Sequence, residues 1–209
     1  MSQQNPIIID CHGHYTTAPK ALETWRNQQI AGIKDPRSMP KVADLKISDD
    51  ELRETILQNQ LKLMNERGSD LTIFSPRASF MAHHIGDFQV SSTWAAICNE
   101  LCYRVSQLFP DHFAPVAMLP QSPGVDVATC IPELVKCVEQ YGNVGINLNP
   151  DPSGGHWTSP PLSDRHCKRL RHESWQGCRT RPSSRKSGTN AYLAAVVMSS
   201  GRPMGQGLS

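Results

Sequence analysis

The stretch IIIDCHGHY, residues 7–15, joins a run of β-branched apolar residues to a His-x-His pair. Apolar positions without alternation suit a parallel strand covered on both faces, so residues 7–10 read as a short buried strand. His12 and His14, two apart, point to one side of an extended backbone, and both imidazoles then reach an ion placed beyond the strand end. Neutral imidazole nitrogens suit zinc and other first-row divalent metals. Asp10 either orients a ligand or accepts backbone hydrogen bonds at the turn, and Cys11 is expected to point the other way, into packing. A catalytic zinc takes three protein ligands and a water, so two histidines do not complete a site.

Working outward, strand-like and helix-like segments alternate. Residues 19–30 suit a first helix and 32–45 a loop. Ser48 with Glu51 forms a capping box, Leu52, Ile56, Leu57, Leu61 and Leu63 follow at helical spacing, and Gly68 is a stop. The second strand is DLTIFSP, 70–76, followed by a long loop and a helix from Ser91 or Ser92 to about Phe109. FAPVAML, 113–119, is the third strand; a helix over 125–141, with Pro132 as an irregularity, leads to the fourth, NVGINLN, 143–149. This alternation predicts parallel βαβ units, in a (β/α)8 barrel or a doubly wound sheet. Either fold binds ligands at the carboxyl ends of its strands, where the His pair, Arg77 and Asn147 all fall.

A chain of 209 residues makes one domain or part of a larger single-domain barrel. Its hydrophobic fraction of 38% is low for a packed domain, and the deficit lies at the C-terminal end. No N-terminal apolar run suits a signal peptide and no window suits a membrane span, which points to a cytoplasmic protein. Seven cysteines without a C-x-x-C pair predict reduced thiols, and Cys98 and Cys102 share a helix face as packing residues. The net charge of +2 hides an asymmetry: residues 166–209 hold eight Lys or Arg against one acid, Glu173. That abrupt change reads as an aberrant basic tail, frame-shifted or disordered, and such a tail alone would suit nucleic acid.

Other polar residues at the strand ends are candidates for binding. Arg77 offers a planar fork for a carboxylate, or a surface salt bridge. His83 and His84 in the same loop suit donation to a carboxylate or proton transfer, although at least one is expected to be an ordinary loop residue. Asn147 and Asn149 flank Leu148 and share a face; they either hydrogen-bond substrate oxygens or form the turn before Pro150. Gly154 and Gly155 lack the pattern of a phosphate cradle.

IIIDCHGHYTTAPKALE, FSPRASFMAHHIGD with SSTWAAICNELC, and GINLNPDPSGGHW resemble the 4-oxalomesaconate hydratases, in the subgroup of the amidohydrolase superfamily that includes aminocarboxymuconate-semialdehyde and γ-resorcylate decarboxylases. The resemblance covers about residues 5–165. It implies a distorted (β/α)8 barrel with a mononuclear zinc site, with His12 and His14 as two ligands. Family ligands and acid/base residues from later strands match no position here, and His166 and His172, in the tail, are not substitutes. The implied reaction hydrates 4-oxalomesaconate to 4-carboxy-4-hydroxy-2-oxoadipate in protocatechuate 4,5-cleavage, with Arg77, His83, His84 and Asn147 toward a small polycarboxylate substrate. The expectation is therefore an α/β fold, the N-terminal half of a metal-dependent-hydrolase-type (β/α)8 TIM barrel over residues 1–165, truncated and followed by the aberrant tail 166–209. Its two open strand edges predict poor stability and little activity as a monomer. A decarboxylase or C–C hydrolase of the same subgroup, and a nucleic-acid-binding fragment acting through the tail, are the alternatives. Neither a membrane nor nucleic acid is expected as partner, and the full-length family suits a homo-oligomer.

Overall fold

The computed structural model describes residues 6–77, 82, 84–147 and 194–196. Strands β1 (Ile9–Tyr15), β2 (Leu71–Pro76), β3 (Phe113–Met118), β4 (Gly145–Asn147) and β5 (Ala194–Val196) form one parallel sheet in the order β1-β2-β3-β4-β5. Among the described residues, strands that neighbour in space are consecutive in sequence. A doubly wound sheet reverses its order at a switch point, whereas a barrel wall does not, so this topology selects the barrel. The connections are helical: α1 (Lys20–Gly32), α2 (Asp49–Gln58) and α3 (Gln60–Arg67) between β1 and β2, α4 (Phe88–Leu108) between β2 and β3, and α5 (Ile131–Glu139) between β3 and β4.

Local sequence accounts for most helix ends. Ser48 Oγ accepts from the Glu51 amide at 3.2 Å and Glu51 Oε2 accepts from the Ser48 amide at 2.8 Å, closing the expected box. The single helix expected from Ser48 to Gly68 is two, because Asn59 (φ −126, ψ −85) breaks the path between α2 and α3. Gly68 (φ 68) ends α3 in the left-handed conformation that favours glycine. α4 begins at Phe88 rather than Ser91, since Asp87 Oδ1 caps it by accepting from the Val90 amide at 2.9 Å. Ser91 is buried and donates to the Gln121 carbonyl at 2.7 Å. Pro132 stands in the first turn of α5, where it is tolerated, rather than interrupting a longer helix.

The helices cover one face of the sheet. Tyr15, Phe74 and Phe113 join Leu52 and Ile56 of α2, Met64 of α3, and Trp94, Leu101 and Val105 of α4 in the larger core. Trp25 stacks on Trp94 at 6.3 Å between ring centroids, with the buried Arg26 guanidinium 4.8 Å over the Trp94 ring. A smaller core joins Ala117, Leu119 and Ile146 to Leu134 and Cys137 of α5. Asn99, fully buried on α4, knits the two together. It accepts from the Met118 amide at 2.7 Å and donates to the Met118 carbonyl at 3.0 Å and to Glu133 Oε1 at 2.9 Å. The carboxyl end of β3 is thus fixed to α4 and α5 at once.

Three expectations for the strands change. The first strand is not residues 7–10, because pairing starts at Ile9 and carries both histidines inside β1. Ile7, Ile8 and Ile9 are 75%, 52% and 52% exposed and Cys11 is exposed too, since among the described residues β2 is the one strand beside β1. A strand is covered only where other elements pack on both its faces. Third, the sequence reading stops at four strands, yet Ala194–Val196, inside the apolar run at 191–198, pairs with β4. Asn149, Gly154, Gly155 and the boundary at 165 lie outside the described residues. No described helix is long and apolar enough to cross a membrane.

Burial raises the pKa of several core acids. Tyr15 is pushed up to about 12 by burial, against the opposing hydrogen bond from Thr55, and Cys130 also reaches about 12 by burial. Cys98, Cys102 and Cys137 move up for the same reason. Groups with raised folded pKa values stabilise the fold below their unfolded values, about 9 for thiols and about 10 for tyrosine, and that stability is lost as pH rises beyond them. Urea melts of the chain should therefore give a falling stability between about pH 9 and pH 12, and a profile flat over that interval would contradict the buried state of these groups.

Candidate active site at the carboxyl ends of the strands

The His pair is placed by an irregular pairing of β1 with β2. The register runs Ile9↔Leu71 and Asp10↔Thr72, shifts, then resumes as Gly13↔Phe74, His14↔Ser75 and Tyr15↔Pro76. Asp10 Oδ1 accepts from the His12 amide at 3.0 Å, so of its two expected roles it takes the backbone one. Gly13 is the spacer the pair requires. A Cβ there would collide with Thr72 Cγ2 and stand 3.3 Å from the Ile73 carbonyl.

Alternation along the strands assigns the faces. Tyr15 hydrogen-bonds Thr55 of α2 and Thr72 donates to the Met64 sulfur of α3, so both point to the helices. His14 and Ser75, one residue after Gly13 and Phe74, point to the opposite face. The His12 and His14 rings lie there edge to face, 4.9 Å between centroids. His14 Nδ1 is 3.1 Å from the Pro76 carbonyl and 2.7 Å from Ser75 Oγ, and Ser75 Oγ is 2.9 Å from the Gly13 carbonyl. Burial lowers the His14 pKa, the Pro76 hydrogen bond opposes this, and His12 lowers it further. Burial thus favours the neutral ring, the state a metal ligand needs.

Asn147 ends β4 on the same face, since its neighbour Ile146 packs against α5. It is 0% exposed, and neither its Oδ1 nor its Nδ2 has a hydrogen-bond partner among the described residues. An unpaired buried carboxamide costs about 1–3 kcal/mol, so a polar partner would stabilise Asn147, and the turn expected before Pro150 lies outside the described residues. It stands three strand spacings from β1, about 14 Å along the sheet. Arg77, exposed, follows Pro76 at the end of β2, and His84 is exposed in the turn before α4. His83 lies outside the described residues, so the structure joins His12 and His14 closely and places Arg77 and Asn147 at the same end. Sequence reading missed Ser75 and the Pro76 carbonyl. The signal was available in the His14↔Ser75 register, which no single strand reveals.

Two imidazoles this close and on one face fit a shared divalent ion with bonds of about 2.0–2.1 Å. Among the described residues no group of three or more His, Cys, Asp or Glu side chains could hold a metal. His12 and His14 could supply two of an ion's donors.

A consecutive parallel wall with a His-x-His on its first strand, facing away from the helices, defines the class of metal-dependent-hydrolase-type barrels. Residues 9–176 match the amidohydrolase family, and the chain belongs to it. It is 57% identical over 159 residues to the 2-keto-4-carboxy-3-hexenedioate hydratase of Sphingobium sp., covering 76% of this chain and 46% of that protein. It is 72% identical to the crystal structure of the 4-oxalomesaconate hydratase of Rhodopseudomonas palustris, with a TM-score of 0.75, covering 81% of this chain and 50% of that one. A manganese-bound 5-carboxyvanillate decarboxylase of Novosphingobium aromaticivorans, 16% identical with a TM-score of 0.54 over 82% of this chain and 50% of its own, shares the fold. The chain spans about half the length of these relatives.

Gly13→Ala should destabilise the chain by about 1–3 kcal/mol, as overpacking does in a close-packed strand pair. Thr72→Ser removes the methyl in the way and keeps the hydroxyl, so the double variant should melt closer to the parent in urea than Gly13→Ala alone. Additive losses would show that the two residues do not meet.

Proposed function

We propose that the chain carries the His-x-His half of the active site of a metal-dependent hydratase acting on 4-oxalomesaconate in the breakdown of aromatic compounds. The observation that carries this reading is the 72% identity to a solved 4-oxalomesaconate hydratase over 81% of this chain, together with the paired His12 and His14 rings. The metal would be zinc, held by His12 and His14 together with family donors that match no position of this chain. Residues 1–165 serve as the main barrel portion, and the basic segment 166–209 contributes β5 to the same sheet. The protein works in the cytoplasm, where free thiols such as Cys98 and Cys102 stay reduced.

In the 2-keto-4-carboxy-3-hexenedioate tautomer of this substrate, water adds across the C3–C4 double bond conjugated to the 2-oxo group. The new C–O bond forms at C4, the pair of the double bond moves toward the oxo oxygen, and a proton ends on C3. A bound divalent ion supplies positive charge against the negative charge developing on that oxygen. The residues of this chain bind and orient. Arg77 is suited to one substrate carboxylate through its planar fork. The Asn147 amide donates to a second oxygen, which relieves its own unpaired burial. His83 and His84 in the same loop belong to the substrate-facing set as further donors, with the acid and base of the reaction contributed from elsewhere.

Loss of the conjugated absorbance of 4-oxalomesaconate, with zinc present, checks the reaction. His14→Ala should lower the rate at least about a hundredfold, and His12→Ala similarly, whereas Asn147→Ala should act mainly by weakening substrate binding about tenfold. Release of carbon dioxide from an aromatic carboxylate, without consumption of 4-oxalomesaconate, would favour the decarboxylase alternative and overturn the hydratase. Binding of 4-oxalomesaconate no tighter than that of a simple dicarboxylate would remove the substrate from the proposal.

A further inference from the structure

The hydrogen bonds around His14 assign two protons without any being observed. A carbonyl oxygen accepts and never donates. The Pro76 carbonyl, 3.1 Å from His14 Nδ1, therefore requires the proton of the neutral ring to sit on Nδ1. The Gly13 carbonyl, 2.9 Å from Ser75 Oγ, takes the serine hydroxyl proton in the same way. With that proton committed, the 2.7 Å contact between Ser75 Oγ and His14 Nδ1 has one polarity: the ring N–H donates and the serine lone pair accepts.

We infer that Ser75 is a positioning residue, locking His14 in its Nδ1–H tautomer so that Nε2 is left as the single ring nitrogen able to donate to a divalent cation. The lock is a product of strand pairing. His14 and Ser75 are register partners, and the carbonyls that fix the two protons belong to the residue before His14 and the residue after Ser75. Ser75 is buried, so water does not compete for its hydroxyl. His12 provides an internal comparison, because its exposed ring has no hydrogen-bond partner among the described residues. Groups that orient a ligand ring through its second nitrogen typically contribute about 10–100-fold to metal affinity.

The tautomer stands independently of the proposed function; the cation it serves rests on that reading. Two-bond nitrogen-to-proton correlation spectra of the nitrogen-labelled full chain, free of metal and at about pH 8, separate the two. His14 should show a protonated Nδ1 and a bare Nε2, while His12 shows an average of both tautomers. Added zinc chloride should shift His14 Nε2 and leave Nδ1 protonated. Ser75→Ala should mix the His14 tautomers and weaken zinc binding about 10–100-fold. Ser75→Thr, which keeps the hydroxyl, should restore both. An Nε2–H ring in the parent chain overturns the inference without any variant having to fold, as does a Ser75→Ala chain with the parent's tautomer and a zinc Kd within twofold. A locked Nδ1–H ring with no zinc-induced shift at either histidine would instead sink the metal reading.

Discussion

The side-by-side approach of Gly13 and Thr72 is the contact on which the site depends. Two histidines on one strand face can share an ion only if the residue between them, which faces the helices, lets β1 settle fully onto β2. Any side chain at that position meets the Thr72 methyl group and lifts the strand away. The settled pairing sets His14 opposite Ser75 and Tyr15 opposite Pro76, and it brings the Gly13 and Pro76 carbonyls into reach of the Ser75 hydroxyl and the His14 ring. A packing constraint on the helical face thus becomes ring orientation on the opposite one.

How far this was legible in the sequence differs from element to element. The capping box at Ser48 and the stop at Gly68 are local events and appear where the residues place them. The break at Asn59 is not, because the apolar spacing on either side of it continues almost unchanged. Ser91 resembles a helix cap but spends its hydroxyl on the Gln121 carbonyl of a distant loop, while Asp87 does the capping. The isoleucines at 7–9 show the opposite limit. Their pattern describes a strand covered on both faces, and β1 with β2 as its one described neighbour cannot supply that cover.

The site divides along the same line. Residue type and spacing single out His12 and His14 as candidate metal ligands, because two imidazoles two residues apart share one strand face. Asn147 was open between a turn and a ligand-binding role, and its burial without a hydrogen-bond partner weighs toward the second. Ser75 carries no signal of its own. A serine in a strand becomes informative only when the register names its neighbour, and register is a property of two strands together.

The partners chosen for His14 also bear on the chemistry the pair suits. A carboxylate beside a ligand imidazole raises its basicity and pushes negative charge toward the ion. The nearest carboxylate, Asp10, accepts from the His12 backbone amide instead, and the His14 ring is oriented by a carbonyl and a hydroxyl, both neutral. Orientation is obtained with little charge transferred. An ion held by such a ring keeps more of its positive charge for a substrate oxygen, and in conjugate addition of water that oxygen is where the negative charge arrives. A site that had to expel a negatively charged group would gain from a carboxylate partner on the ring. On the proposed hydratase reading, the neutral partners of His14 would suit electrophilic work on an oxo group.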